Sequence, residues 1–424
     1  MGRLLRIGRW VGSHSNVVIA LTLALVCVVV GLATGFWLLF RLAYIVAFAV
    51  PLVWFWTRSM IRSLDVEVLR RTQRVSQGQP LEGQVLLRST SVLPKVWLEI
   101  EDQSSVPGYQ SRRVVTLGSR GAAGWIYSEV ARRRGLYRLG PVRVTAADPF
   151  GFFRMSREFG EPVTVLVYPA APELPSFYLP PANLPGEGKF RRRTHNVTPN
   201  YAGLRSYVAG DSYNRIHWPQ TARTGDLMVK LFELDPSSDI WVILDLDRRV
   251  HEGSGDDSTE EVAVTVAASI ARYFIQANRS VGLASFGADL RIDEPDRGQN
   301  HHTRMLESLA LARAAGEVAL EQLLLELSRR FGRHTTVVVV TPSPDEGWAM
   351  TLMALAGRGV KVAAVLLEAE TWGGTRSSLD VYGTLAAAGL YTYTVKRTDD
   401  LPRALGGRGE LVATGSPREL RLPV

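Results

Sequence analysis

One seven-residue stretch decides the fold class of this chain: Thr335-Thr336-Val337-Val338-Val339-Val340-Thr341. All seven residues are β-branched, and such side chains favour extended backbone. Because polar and apolar residues do not alternate, the stretch predicts a strand buried on both faces, as in a parallel sheet. A helical pattern over Trp348–Gly357 and an apolar strand over Val360–Leu367 follow it. The order strand, helix, strand is what a parallel sheet requires.

The same alternation extends in both directions from this strand. Ser258 and Glu261 form a capping-box pattern, which fixes the start of one helix. We therefore predict a doubly wound α/β domain over residues 238–424. Its predicted strands are Ile240–Leu246, Ser280–Phe286, Thr335–Thr341, Val360–Leu367 and Tyr391–Val395, and its predicted helices are Ser258–Ala277, Thr303–Ala315, Val318–Phe331, Trp348–Gly357 and Ser377–Ala388.

The first 62 residues are predicted to be a transmembrane hairpin with basic flanks. An apolar segment runs from Val17 to Trp56, about twice the roughly 20 residues that one membrane-spanning helix needs. Gly31 to Gly35 offers a turn, so the predicted spans are Val17–Ala33 and Phe36–Trp56. Arginines at positions 3, 6, 9, 58 and 62 place both ends in the cytoplasm. The prediction is thus a multi-pass protein of the cell membrane, with its other domains on the cytoplasmic side.

A single-span topology is the alternative, because Arg41 lies within the second predicted span. In that topology Val17–Phe40 crosses the membrane, Leu42–Trp56 forms an interfacial helix, and the other domains can lie outside the cell. In the hairpin, Arg41 instead extends toward the interface near the outer end of its span. The charge pattern favours the hairpin.

Short alternating apolar runs separated by turn residues indicate an all-β domain over residues 63–168. They include Val66 and Val68, Val85 and Leu87, Val96, Leu98 and Ile100, and Val163 and Val165. This spacing predicts a β-sandwich of immunoglobulin-like character, with a small barrel as the alternative. Residues 169–237 hold a Pro-rich connector and the segment described below. The basic run Lys189–Arg193 in this connector is interpreted as a solvated patch or, alternatively, as a contact for anionic lipid.

Charge and composition argue against several function classes. The formal net charge is +8, but the first 62 residues hold six arginines and no acidic or lysine residue, which leaves +2 for the rest. No nucleic acid is therefore expected as a partner. The single cysteine, Cys27, lies in the first predicted span, so the other domains have no thiol nucleophile. Gly186–Lys189 lacks the upstream glycine of a phosphate-binding loop, so direct nucleotide binding is not expected either.

The segment before the α/β domain is dense in aromatic and charged residues. Gly210 and Asp211 predict a turn that ends in a helix N-cap. Asp211 and Arg215 are spaced to pair on one helix face. His217 and Trp218 are predicted to close this short helix, with Pro219 opening the next turn.

Two interpretations of this segment stay open. It contains an aspartate, a histidine and arginines but no nucleophile, and Leu227–Glu233 after it is predicted to be an edge strand. We favour a hydrogen-bonded staple between domains or a surface for partner docking. A catalytic centre is the alternative.

Four linked motifs resemble the "domain of unknown function 58" family, over essentially the whole chain. They are Arg134-Gly135-Leu136-Tyr137-x-Leu139-Gly140-Pro141, Asp148-Pro149-Phe150-Gly151-Phe152-Phe153, Val167-Tyr168-Pro169, and Tyr207-x-x-Gly210-Asp211-x-x-x-Arg215-Ile216-His217-Trp218 with Thr221-Ala222-Arg223. The resemblance implies a von Willebrand factor A-like α/β domain, association with MoxR-type AAA ATPases, and no defined enzymatic reaction. The predicted interaction site is this signature: Tyr207, Gly210, Asp211, Arg215, His217, Trp218 and Arg223.

The implied A-like domain raises the question of a Mg²⁺ site. Metal-binding A domains use Asp-x-Ser-x-Ser after their first strand, because Mg²⁺ prefers oxygen ligands. Here the motif is Asp245-Leu246-Asp247-Arg248-Arg249, without either serine. Asp345 is the candidate third carboxylate and Thr303 the candidate distant threonine. The alternative is a degenerate site in which Asp245 and Asp247 bind loop amides or arginines, and no cofactor is needed.

Three functions follow as hypotheses. The leading one is a membrane-anchored, non-enzymatic scaffold, with its β domain between the membrane and an A-like domain that binds a MoxR-type AAA ATPase in protein assembly or maturation. A metal-dependent hydrolase using Asp245, Asp247 and His217 is the second, and it requires these side chains to converge. An external adhesion domain is the third and depends on the single-span topology.

Overall fold

The computed structural model describes residues 15–109, 111–179, 201–207, 216–232, 239–332 and 335–406. The chain separates into two compact units. We call the first, Met1–Ala170 with Leu309–Leu311, the β-rich unit, and the second, Ala171–Ser308 with Ala312–Val424, the α/β unit. Several features of the sequence analysis lie outside the described residues: Gly210, Asp211, Arg215, Gly186–Lys189, the basic run Lys189–Arg193 and the arginines at positions 3, 6 and 9.

Two apolar helices open the described part of the chain: α1 spans Ser15–Thr34 and α2 spans Trp37–Arg62. By length and composition, both could cross a membrane. They are joined at Gly35, whose φ of 71° lies in the left-handed region that glycine tolerates. The predicted pair of helices is therefore present, but α2 ends at Arg62 rather than at Trp56.

The additional turns of α2 are held by packing. Met60 and Ile61 are buried in the same apolar cluster as Leu98 and Val142 of the β-rich unit. Burying side chains of this size contributes about 1.5–3 kcal/mol each. Residues 42–56, a separate helix in the single-span alternative, lie inside α2 together with Arg41.

In the part of the chain that the structure describes, nine strands form the body of the β-rich unit. They are β1 Leu64–Arg70, β2 Arg74–Ser76, β3 Pro80–Ser89, β4 Lys95–Ser104, β5 Arg112–Leu117, β6 Ala122–Val130, β7 Gly135–Ala147, β8 Arg154–Phe159 and β9 Val163–Tyr168. One sheet has the order β1-β3-β6, and the other has the order β2-β9-β7-β4-β5, with β8 paired to β7. Leu87 of the first sheet and Ile100 and Val144 of the second share one buried cluster. The two packed sheets agree with the predicted sandwich, and its immunoglobulin-like character stays a prediction.

The predicted signature segment is partly described. Strands β10, Tyr201–Ser206, and β11, Met228–Phe232, pair antiparallel, with helix α3, Trp218–Thr224, before β11. The prediction that His217 and Trp218 close a helix is wrong. His217 is the N-cap of α3 and Trp218 begins it, since proline suits the first turn of a helix, where its missing N–H needs no partner.

The remaining elements of the α/β unit include the predicted strands and helices in the predicted order, together with further short elements. They are β12 Asp239–Leu244, β13 Gly253–Ser254, β14 Asp257–Ser258, α4 Thr259–Gln276, β15 Val281–Phe286, β16 Leu290–Asp296, α5 Gln299–Leu311, α6 Leu320–Leu327, β17 Thr335–Thr341, α7 Glu346–Gly357, β18 Lys361–Leu367, a 3₁₀ turn Ala369–Trp372, α8 Leu379–Ala387, β19 Tyr391–Val395 and α9 Leu401–Gly406. The central sheet has the order β16-β15-β12-β17-β18-β19.

Strand β17 lies near the middle of this sheet, and all seven of its residues are buried. It pairs parallel with β12 and β18. Val337 and Val339 pack in one cluster with residues of α6, α7 and α8, while α4 packs against β12 and β17 and contributes no residue to that cluster. Helices therefore cover the parallel strands, as the opening stretch predicts.

From β12 onward, the largest differences from the predicted boundaries are in α5 and α6, and one strand of the central sheet was not predicted. Helix α5 begins at Gln299 rather than at Thr303. Helix α5 ends at Leu311 rather than at Ala315, because the chain beyond it turns to pair Gly316 with Asp247. Helix α6 ends at Leu327 rather than at Phe331. Strand β16 was not predicted. It pairs antiparallel with β15 at the sheet edge, the place where its Pro295 is tolerated.

Candidate functional site at the carboxyl ends of the central strands

The carboxyl ends of β12 and β17 bring Asp245 and Thr341 together. The Thr341 hydroxyl donates a hydrogen bond to Asp245 Oδ2 at 2.6 Å, and the Asp247 backbone N–H donates to Asp245 Oδ1 at 3.1 Å. Asp245 is buried. That burial raises the pKa of the Asp245 carboxyl above its ordinary value, although the nearby His251 and the Thr341 bond act in the opposite direction. The edge of an open α/β sheet where this carboxyl lies is the usual place for ligand sites.

Asp247 is held by a different partner. Its carboxylate accepts hydrogen bonds from the Arg249 backbone N–H at 3.0 Å and from Arg249 Nε at 2.9 Å, and it also forms an ion pair with Arg249 Nη2. Burial alone would raise the pKa of Asp247, but the hydrogen bonds and charge of Arg249 outweigh it and hold the pKa below its ordinary value. Arg249 Nη2 also donates to the Glu317 carbonyl at 3.1 Å.

The predicted third carboxylate, Asp345, belongs to the same hydrogen-bonded chain. The Ser343 backbone N–H donates to Thr341 Oγ1 at 2.9 Å, and the Ser343 hydroxyl donates to Asp345 Oδ2 at 3.4 Å. Arg376 Nη2 donates to Asp345 Oδ1 at 2.7 Å. Asp245, Thr341, Ser343 and Asp345 therefore form one continuous polar network, which we call the strand-end network.

His251 is a member of this site that the sequence analysis missed. Its Nε2 lies 3.0 Å from the Asp245 carbonyl oxygen, and its Nδ1 lies 3.0 Å from Thr259 Oγ1. Because a carbonyl oxygen only accepts, Nε2 carries the proton in this arrangement. The single signal in the sequence was a histidine six residues after Asp245, which is too weak to assign a role.

The carboxylates do not fit a Mg²⁺ site as they are arranged. Both oxygens of Asp247 accept from Arg249, and both oxygens of Asp245 accept from protein donors. Among the residues that the structure describes, no group of three or more His, Cys, Asp or Glu side chains is placed to hold an ion. The Thr303 hydroxyl donates to the Gln299 carbonyl within its own helix. Asp245 and Asp247 thus make the loop-amide and arginine contacts that the degenerate-site alternative describes.

The described signature residues form a local structure around α3. His217 Nδ1 accepts a hydrogen bond from the Gln220 backbone N–H at 3.1 Å, and the His217 N–H donates to the Met228 carbonyl at 2.8 Å. The Tyr207 N–H donates to the Leu227 carbonyl at 2.7 Å. Trp218 and Arg223 are exposed. These bonds give His217 a local capping role and leave Trp218 exposed on the surface, while the staple between domains stays a prediction.

Gly316 has no room for a side chain, so Gly316→Ala is expected to destabilise the α/β unit by about 1–3 kcal/mol. A Cβ atom there would lie 2.5 Å from the Phe286 carbonyl oxygen and 3.0 Å from the Leu246 carbonyl oxygen, and both are fixed backbone atoms. Chemical denaturation of the detergent-solubilised chain measures the loss. Gly357→Ala is the matched control, since a Cβ atom added at this position, at the end of α7, would meet nothing within 4 Å. Equal stability of the two variants would contradict the prediction.

Asp245→Asn is expected to stabilise the α/β unit at neutral pH. The folded pKa of Asp245 is raised, so between the unfolded value of about 3.9 and the folded value the unfolded chain ionises first. Stability therefore falls as pH rises through that window, and the penalty persists above it. An asparagine has no such penalty. Unfolding midpoints of the wild type and of Asp245→Asn from pH 4 to 8 measure this difference in stability. Asp239→Asn, at the exposed start of β12, is the control. A variant that is less stable at pH 7 would refute this account.

Residues 203–371 match the model of the family described as "Protein of unknown function DUF58". This DUF58 match includes α3 and the strand-end network from Asp245 to Asp345. The uncharacterized protein YeaD of Bacillus subtilis (strain 168) is 26% identical over 322 residues, which cover 73% of this chain and 78% of the relative. The uncharacterized protein Rv1480 of Mycobacterium tuberculosis is 26% identical over 174 residues, 39% of this chain and 53% of that protein.

Similar solved structures add no argument about fold. Proximal thread matrix protein 1 from the mussel byssus aligns over 40% of this chain and 46% of its own, with a TM-score of 0.30 and 11% identity. The CARDB domain of PF1109 from Pyrococcus furiosus aligns over 25% of this chain and 94% of its own, with a TM-score of 0.19 and 17% identity. What these comparisons support is a similarity to DUF58 proteins whose function is unknown.

Proposed function

We propose that this chain is a membrane-anchored, non-enzymatic scaffold. Its α/β unit, which we take to be of the von Willebrand factor A type, would bind a MoxR-type AAA ATPase in protein assembly or maturation. The observation that carries the proposal is the strand-end network. Asp245 and Asp247, the carboxylates best placed for chemistry, are already engaged by Thr341 and Arg249.

The rim of this network suits a protein partner. Arg248 pairs with Glu317 at 2.5 Å, and Arg376 pairs with Asp345 at 2.7 Å. All four side chains are more than half exposed. Exposed ion pairs contribute little to stability. Charges of both signs around a docking surface do steer a complementary partner and select against others.

A binding experiment tests the partner. The full chain in lipid nanodiscs is titrated with a purified MoxR-type ATPase from the same organism. Arg376→Glu is expected to weaken binding about tenfold or more, since truncating or reversing a charge inside an interface costs about 1.4 kcal/mol or more. Arg330→Glu is the matched control, because Arg330 is also ion-paired and exposed but precedes the amino end of β17. Absence of binding by the unmodified chain, or equal loss in both variants, would refute the proposal.

Membrane anchoring and sidedness have their own test. In a Cys27→Ala background, single cysteines replace Phe36, next to the turn between α1 and α2, and Ser254, which is exposed in the α/β unit. A membrane-impermeant thiol reagent on intact cells is expected to label only position 36. Labelling at position 254 would place the α/β unit outside the cell, exclude a cytoplasmic ATPase as its direct partner, and favour the adhesion hypothesis.

A further inference from the structure

One end of the β-rich unit is tied to the ends of both apolar helices. The Thr90 backbone N–H and hydroxyl donate to the Ser63 carbonyl, just after α2, at 3.0 and 3.2 Å. The Asn16 side chain, in the first turn of α1, donates to the Gly151 carbonyl at 3.1 Å. The loops over 90–94 and 148–153 are therefore fixed beside the helix ends.

Strand register shows that these loops share one end of the sheet. Leu98 pairs with Ala146, which brings the start of β4 beside the end of β7. Lys95 pairs with Leu117, so the turn after β5 lies there too. In that turn the Arg120 N–H donates to the Ser91 carbonyl at 2.9 Å.

This end exposes large apolar side chains. Val92, Leu93, Trp97 and Phe150 are between 46% and 69% exposed. Trp97 also has a φ of 59°, a backbone conformation that costs free energy for a bulky residue. Exposed apolar side chains and a strained backbone at Trp97 do not stabilise the folded unit. Arg120 is exposed beside them.

We infer that this membrane-facing end, defined by Val92, Leu93, Trp97, Arg120 and Phe150, lies in the interfacial layer of the bilayer that holds α1 and α2. The inference rests on the anchoring proposed above and commits to lipid as the partner. The apolar run of α2 ends at Trp56, and Ser63 follows within about 10 Å at 1.5 Å per residue. The headgroup region begins at the level of Trp56.

The residue types fit this layer. Tryptophan is enriched at membrane interfaces, where its ring is apolar and its N–H is polar. Apolar side chains of interfacial segments reach about 5–10 Å into the boundary between headgroups and acyl chains. Arg120 would meet anionic headgroups, for which each basic residue near the surface contributes about 1 kcal/mol. The β-rich unit is thus seated on the membrane rather than suspended from it.

Depth-dependent fluorescence quenching tests this seating. The full-length Cys27→Ala chain is reconstituted in phosphatidylcholine–phosphatidylglycerol nanodiscs, with an environment-sensitive dye on a single cysteine at Leu93 or Phe150 and a lipid-borne quencher near the headgroups. The matched control is Val130→Cys. Val130 is 50% exposed and pairs with Pro80 at the far end of β3, about 30 Å from the membrane-facing end along the strand. Leu93 and Phe150 are expected to be quenched at least about twofold more than Val130.

A fourth cysteine separates the two possible failures. Ile19→Cys, with a quencher deep in the acyl chains, reports whether α1 crosses the bilayer, since Ile19 is an exposed residue of that helix. If Ile19 is quenched while Leu93 and Phe150 match Val130, the seating is wrong and the anchoring stands. If Ile19 is not quenched, the anchoring fails and the seating fails with it. Equal strong quenching at Val130 would also overturn a contact specific to this end.

Discussion

Asp102→Ala is expected to lower the free energy of unfolding of the β-rich unit by about 3–5 kcal/mol. Arg70 Nη2 and Asp102 Oδ1 are 2.7 Å apart, and the two side chains are only 6% and 2% exposed. Tyr109 Oη donates a further hydrogen bond to Asp102 Oδ2 at 2.7 Å. Removing the carboxylate would leave a guanidinium buried without its counter-charge, and that uncompensated charge is the source of the loss.

The pairing itself is tested by a compensating variant. Replacing both partners, as Arg70→Met with Asp102→Leu, is expected to recover most of the stability, because two apolar side chains carry no desolvation penalty. Asp65→Ala, at an exposed position of β1, is the control and should stay within about 0.5 kcal/mol of the wild type. Denaturant titration of the solubilised chain gives all four values. A loss in Asp102→Ala no larger than that in Asp65→Ala would contradict the argument.

Lys95→Met is expected to cost about 2–4 kcal/mol in the free energy of unfolding. Lys95 is buried, and its ammonium donates to the Met60 carbonyl and the Ser63 hydroxyl at 2.6 Å each, and to the Ser59 carbonyl at 3.3 Å. It therefore satisfies acceptors at the end of α2 and places a positive charge at the negative pole of that helix. Leaving buried acceptors unsatisfied costs about 1–3 kcal/mol each.

A pH profile separates the Lys95 ammonium from simple packing. Burial lowers the pKa of Lys95 to about 8, whereas an unfolded lysine has a pKa of about 10.4. Between these values the unfolded chain binds more protons, so wild-type stability should rise with pH across that window. Lys95→Met should lack the rise, and the exposed Lys396→Met should keep it. Identical profiles in all three proteins would show that Lys95 does not titrate as proposed.

Helices and strands could be predicted from the sequence where the local pattern of residue types alone determines which side chains are buried. The bounds of β17 and β19 agree with the prediction because both are short runs of β-branched and aromatic residues between turn signals. Strand β16, Leu290–Asp296, was missed because charged residues and Pro295 obscure its pattern, and pairing with β15 is what stabilises it. The extension of α2 to Arg62 likewise depends on packing against the β-rich unit, which no local pattern reveals.

The candidate site was predictable only in part for a similar reason. Asp245 and Asp247 follow a strand, so their place at the sheet edge could be derived from the sequence. The hydrogen-bond partners of these two carboxylates could not be derived in the same way. Thr341 is 96 residues from Asp245 in the chain, and pairing Arg249 with Asp247 was one of two alternatives left open. Lys95 gave no signal, because a lysine at the start of a strand normally indicates an exposed position.

The continuous passage of α2 into the β-rich unit has a mechanical consequence. Residues 59–63 are both the end of the helix and a packed, hydrogen-bonded part of the domain, with no flexible linker between them. In the proposed membrane-bound state the helix is then a lever arm. A helix tilts when the thickness of the bilayer changes, and here that tilt would turn the whole β-rich unit as a rigid body. Bilayer thickness would in this way set the angle between the β-rich unit and the membrane.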